Sequence, residues 1–124
     1  MREQLIQDEI RRDVSAKCPG IILRCNAGVA YGGKKVWSPY HGGYVLLDPR
    51  PVKLLPEGFP DLLYLGPKAT AIFVEVKNET GKVRDGQNKF HAVLRKLGFK
   101  ICIARSADDA VKFINGGQNN ECQL

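Results

Sequence analysis

The run PDLLYLGPKATAIFVEVK, residues 60–77, decides the fold class. Its two apolar segments, 61–66 and 70–77, flank Pro67-Lys68-Ala69 and read as strands joined by a tight turn. Side chains alternate across a strand, which puts Phe73, Glu75 and Lys77 on one face and Ile72, Val74 and Val76 on the other. A hairpin centred on Lys68 pairs Gly66 with Thr70, Leu62 with Val74 and Asp61 with Glu75, opposed residues lying about 4.5–5.5 Å apart at Cα. The turn therefore gathers two carboxylates and a lysine. Like charges in direct opposition weaken a hairpin, unless a cation lies between them or one acid holds a proton. Hard oxygen ligands converging on one point are what Mg²⁺ takes, with water and substrate phosphate completing its shell. The same residues also read as a solvated strand end, with Lys77 neutralising Glu75 in a surface ion pair.

Upstream, residues 2–17 carry a helical stripe of Ile6, Ile10 and Val14 with Leu5 beside it. IILRCN (21–26) reads as a strand after the Cys18-Pro19-Gly20 break. Residues 27–57 form a long irregular stretch, with a strand or hairpin expected near 44–48, because a structureless loop of that length is unusual in a compact domain. Downstream, 86–97 read as an amphipathic helix on Phe90, Val93, Leu94 and Leu97, and KICIA (100–104) as a strand. SADDAVKFI (106–114) is a short helix opened by a Ser106 N-cap. The order α-β-β-β-α-β-α predicts an α/β domain over residues 1–115, two helices packed on a mixed sheet, with a flexible tail at 116–124. The strand–helix–strand unit from 70 to 104 predicts a right-handed parallel crossover.

At 124 residues the chain is long enough for one domain with its own core. No apolar run approaches the roughly 20 residues of a membrane span, and MREQLIQDEIRR has no apolar signal core, so a cytoplasmic protein is expected. Cys18, Cys25, Cys102 and Cys122 form no CxxC pair, and His41 and His91 are not spaced to complete a zinc site; the cysteines read as reduced and structural. A net charge of +6 suits a polyanionic partner. The stretch 31–53 mixes Lys34, Lys35, Arg50 and Lys53 with Tyr31, Trp37, Tyr40 and Tyr44, a combination fit for phosphate contacts and stacking on unpaired bases. The lysines there read as DNA contacts, and Trp37 as packing of the loop onto the core. Two polar residues lie on apolar helix faces: Glu3, in line with Ile6 and Ile10, and Gln87, in line with Phe90 and Leu94. Each needs a partner there.

Pro60-Asp61 followed by Glu75-Val76-Lys77 resembles the PD-(D/E)XK nuclease signature. The wider pattern resembles the VRR-NUC family: Glu3-x-x-Ile6-Gln7, Arg24-x-Asn26-x-Gly28, Gly58-Phe59-Pro60-Asp61, Glu75-x-Lys77, and Gln87-x-x-Phe90 followed by Gly98, in order from Glu3 to about Ile114. The resemblance implies a restriction-endonuclease-like core and a Mg²⁺- or Mn²⁺-dependent DNA endonuclease. It implies Asp61, Glu75 and the Val76 carbonyl as metal ligands, with Glu3 ligating directly or through water. It implies Lys77 as the residue that positions or activates the attacking water, and Gln87 as an aid at the scissile phosphate. Arg24 and Asn26 join Lys34, Lys35 and Lys53 as expected DNA contacts. Residues 29–57 depart from the family pattern in length, which bears on substrate choice more than on catalysis. Stand-alone members of the family resemble Holliday-junction resolvases. A four-way junction has approximate two-fold symmetry and needs two nicks, so a homodimer on branched DNA is expected, its interface drawn from apolar surface at Trp37–Leu47 and the exposed side of the first helix. A flap or other branched-DNA nuclease, and a DNA-binding module that keeps the fold without cutting, are the alternatives.

Overall fold

In a computed structural model, which describes residues 1–116, the chain runs α1 (Glu3–Lys17), β1 (Ile21–Arg24), β2 (Val29–Ser38), β3 (Gly43–Lys53), β4 (Leu62–Gly66), β5 (Thr70–Val76), α2 (Asp85–Lys96), β6 (Lys100–Ala104) and α3 (Ala107–Ile114). The expected tail, apart from Gly116, lies outside the described residues, and so does Cys122. The β4–β5 hairpin has the register that its turn dictates, with Leu62 opposite Val74 and Gly66 opposite Thr70. Lys68 and Ala69 close the turn at φ of 58° and 57°, left-handed backbone that non-glycine residues seldom adopt. β1 adds antiparallel to β4 and β6 adds parallel to β5. Among the described residues the result is a four-stranded mixed sheet in the order β1-β4-β5-β6.

Alternation along β5 sorts its side chains onto two cores. On one face Ile72, Val74 and Val76 meet Ile6, Ile10 and Val14 of α1 and Ala107, Ala110 and Phe113 of α3. On the other, Phe73 and Ile101 meet Leu94 of α2, with Phe59, Leu63 and Phe90 at the margin. Burying each such Ile, Leu, Val or Phe side chain is worth roughly 1.5–3 kcal/mol. Three helices thus cover the sheet, where sequence predicts two; the small Ala107 and Ala110 bring α3 down onto the face that α1 already covers. Ser106 caps α3 as expected, its hydroxyl accepting the Asp109 N–H at 3.1 Å. On α2 the buried line is not the expected one. Val93 and Leu97 are exposed, while Phe90 is half-buried and His91 and Leu94 turn inward.

Residues 27–57 are far more regular than expected. β2 and β3 form a separate antiparallel ribbon, with Val29 opposite Lys53 and Trp37 opposite Tyr44, and a bulge between Gly32 and Lys34. Pro49 and Pro51 are tolerated within β3 because both strands of a two-stranded ribbon are edges with spare N–H positions. At the tip the Ser38 hydroxyl accepts the His41 N–H at 3.3 Å. The ribbon is not packed face-on against the helices or the larger sheet. Trp37 accordingly fails to pack on the core; it is 58% exposed and meets Tyr44 edge-on at 5.3 Å between ring centres.

Candidate active site

The loop leading to Asp61 lies directly on the first turn of α2. Gly58 sits there at φ 88°, and a Cβ on it would come within 2.7 Å of the Gly86 carbonyl, so only glycine fits. Phe59 wedges between Phe73 and Phe90, with ring centres 5.6 and 5.2 Å away, and Pro60 is buried. Asp61 follows at the mouth of the hairpin. Its Oδ2 accepts the Val76 backbone N–H at 2.8 Å, so a side chain continues the β4–β5 ladder beyond its last paired residues.

Glu75, at 1% exposure, points from β5 toward α2. Its Oε1 lies 3.0 Å from His91 Nε2, and its Oε2 accepts from Gln87 Nε2 at 3.3 Å. The Gln87 amide cannot turn round, because its Oε1 is taken by the Arg84 backbone N–H at 3.0 Å. Asp61 and Glu75 are hydrogen-bonded to each other. Burial, then the bond and the charge of Glu75, push the Asp61 carboxyl up to about 7, against the lowering pull of the Val76 N–H and Lys77. Burial also raises Glu75, although the bond to Asp61 and the charges of Lys77 and Arg84 hold it down. With Glu75 buried and Asp61 half-buried beside it, ionising both acids is costly, and their proximity favours keeping a proton on the pair. His91 is driven the other way, to about 4, by burial first and then by Arg95 and Lys77. It therefore meets Glu75 as a neutral ring in a hydrogen bond, not as an ion pair.

Lys77 is only 4% exposed, and its N–H donates to the Ala104 carbonyl at 3.1 Å. That burial removes the reading of Glu75 and Lys77 as a solvated surface pair. The turn beyond Lys77 is clamped by the Arg105 guanidinium, which donates to the carbonyls of Asn78 at 2.6 Å and Gly81 at 2.7 Å. Glu3 borders the same turn: a Cβ on Gly81 would find Glu3 Oε2 at 3.1 Å and Lys77 Cδ at 3.4 Å. Asp61, Glu75, Lys77 and Gln87 thus converge, with Glu3 at the margin.

The expected DNA contacts lie elsewhere. Arg24 is exposed at the end of β1, its Nη2 donating to Gln4 Oε1 at 3.4 Å, and Asn26 is exposed at the ribbon root. Lys34, Lys35 and Lys53 are exposed along the ribbon, with Lys35 Nζ 4.4 Å above the Tyr44 ring. The root itself abuts the site, since the Cys25 N–H donates to the Asp61 carbonyl at 2.8 Å.

Sequence reasoning missed His91. The signal was present in the spacing of Gln87, His91 and Leu94, which puts all three on one helical face. Among the described residues no group of three or more His, Cys, Asp or Glu side chains is set to hold a metal ion. Two carboxylates and a neighbouring carbonyl nonetheless fit Mg²⁺ or Mn²⁺, hard ions that take oxygen, need one or two carboxylates and keep several waters. Burial and neighbouring negative charge raise both acids, and such a cation would offset that charge.

No curated protein matches the chain. Residues 46–108 match the family model of the VRR-NUC domain. That segment spans half of the chain and runs from β3 into α3, taking in Asp61, Glu75, Lys77, Gln87 and His91 but neither Glu3 nor β2. The chain belongs to the VRR-NUC family of nuclease-type domains.

Proposed function

We propose that the domain is a Mg²⁺- or Mn²⁺-dependent endodeoxyribonuclease that acts on branched DNA as a homodimeric Holliday-junction resolvase. The observation that supports this reading best is the meeting of half-buried Asp61 with buried Glu75 and Lys77 at the mouth of the hairpin. A module that only bound DNA would gain nothing from acids gathered at a phosphate-facing site, because they repel phosphate. In this reading Asp61, Glu75 and the Val76 carbonyl hold the ion, with Glu3 ligating it directly or through water. When bound, the ion supplies the charge that polarises phosphoryl oxygens and acidifies water. Lys77 orients the attacking water, and Gln87 assists at the scissile phosphate from its fixed place on Glu75. Arg24 and Asn26 at the root, with Lys34, Lys35 and Lys53 along the ribbon, take phosphates of the flanking duplex.

Dimerisation is supported by the ribbon. Trp37, Tyr44 and Leu46 are exposed on one face of its outer half, and apolar surface of this kind marks an interface. An isolated two-stranded hairpin is also marginal in water. A two-fold pair supplies two sites with the approximate symmetry of a four-way junction. The test is cleavage of junction, flap, duplex and single-stranded DNA with Mg²⁺, with Mn²⁺ and with EDTA. Metal-dependent paired nicks in the junction are expected. Cutting of none of these substrates returns the domain to a non-cutting DNA-binding module, and flap cutting that matches junction cutting favours the flap nuclease.

A further inference from the structure

We propose that His91 is a positioning residue that holds the Glu75 carboxylate, from inside the core, in the orientation a divalent cation requires; the inference rests on the metal-dependent reading above. His91 is 0% exposed and lies one helical turn after Gln87 on the sheet-facing side of α2. It follows Phe90 and precedes Leu94 on the helix, beside the apolar cluster those two help to build, and the charges of Arg95, Lys77 and Asp61 also reach it. The imidazole leaves Nδ1 buried with no hydrogen-bond partner among the described residues, which is unfavourable for the fold. What the ring provides in return is its contact with Glu75 Oε1 at 3.0 Å.

A glutamate side chain has three rotatable bonds, and a carboxylate that swings cannot be a preorganised ligand. Here both oxygens are tethered from one helix, Oε1 by His91 and Oε2 by Gln87. Each carboxylate oxygen has two lone pairs, so one on each oxygen stays available toward Asp61. The same helix therefore fixes the acid on the side away from the cation. Hydrogen bonds behind a ligating carboxylate commonly set metal affinity by 10–100-fold.

The experiment is calorimetric titration of Mn²⁺ into DNA-free protein, paired with thermal melts without metal, for the parent, His91→Leu and His91→Gln. His91→Leu should weaken Mn²⁺ binding by about 10–100-fold while metal-free melts show that it still folds. His91→Gln, whose amide N–H can still reach Glu75, should recover part of the affinity. Turnover of His91→Leu at saturating metal should come back close to that of the parent. An Mn²⁺ affinity within twofold of the parent in His91→Leu overturns the proposal, as does a His91→Gln variant that folds yet binds as weakly as His91→Leu. If His91→Leu does not fold, His91→Gln decides: parent-like melting with parent-like or mildly weakened binding supports the role, and lost binding overturns it. A parent protein that binds no Mn²⁺ overturns the metal-dependent reading itself, and this proposal with it.

Discussion

Asp61 and Glu75 are close enough to compete for one proton, and that competition has measurable consequences. In the metal-free fold Asp61 titrates at about 7 instead of 3.8. The folded state thus keeps a proton that the unfolded chain releases, so this stabilisation is complete below the unfolded value and is lost as pH rises through the folded one. The melting temperature of the metal-free domain should fall as pH rises from about 4 to about 7 on account of this pair, and saturating Mg²⁺ should reverse the fall by replacing the proton. Melts with and without Mg²⁺ check it; identical pH profiles would mean that no cation takes the proton's place. Asp61→Ala and Glu75→Ala should each abolish junction cutting, keep the fold, and bind DNA as tightly as the parent or more so. Cutting at the parent rate by either variant removes these acids from the metal site. Lys77→Ala should lose turnover with metal affinity little changed, and a variant that loses the metal instead would make Lys77 a structural partner of Glu75. The acid pair and lysine were legible in sequence because the hairpin register is local, fixed by the turn at Lys68. His91 was missed because the stripe drawn through Phe90, Val93, Leu94 and Leu97 left it off the buried line, which runs instead through His91 and Leu94.

Among the elements, β4 and β5 were legible for the same local reason, and β6 followed from the parallel crossover through α2. The docking of α3 beside α1 was not, since it joins opposite ends of the chain. Nor was the ribbon, whose prolines and glycines imitate a loop and whose strands have no core face to imprint an apolar alternation. Regularity in that stretch changes what its lysines can do. On a stiff ribbon Lys34 lies opposite Leu47 and Lys35 opposite Leu46, so consecutive lysines point to opposite faces. If four to six basic side chains meet phosphates, log K should fall against log salt with a slope of roughly −4 to −5. Changing Lys34 and Lys35 together to alanine should flatten that slope by up to about two if both faces meet DNA, and by about one if a single face does. Binding isotherms across a salt series distinguish these outcomes, and an unchanged slope would leave the ribbon with a structural role alone.

For the whole molecule the expectation is a dimer. Light scattering at micromolar concentration should give twice the chain mass of 13.8 kDa, and junction DNA should be nicked in opposed strands. A monomer that cuts flaps as readily as junctions would sink the resolvase reading and leave the nuclease one standing. The ribbon also leaves and rejoins the core at a single point. Ala27 and Leu55 form an isolated bridge, and the Leu54 N–H donates to the Gly28 carbonyl at 3.0 Å. The two strands between Val29 and Lys53 pair with each other in a sheet of their own, so the four-stranded sheet closes without them. Replacing those residues by two or three glycines would join ends that already touch, with little change in loop-closure entropy. Such an excision should yield a monomer that melts near the parent temperature and still binds Mn²⁺, while grip on branched DNA disappears. Chemistry and substrate choice would then be inherited separately: a lineage could lengthen, recharge or exchange the ribbon as a cassette while Asp61, Glu75 and Lys77 stayed where they are.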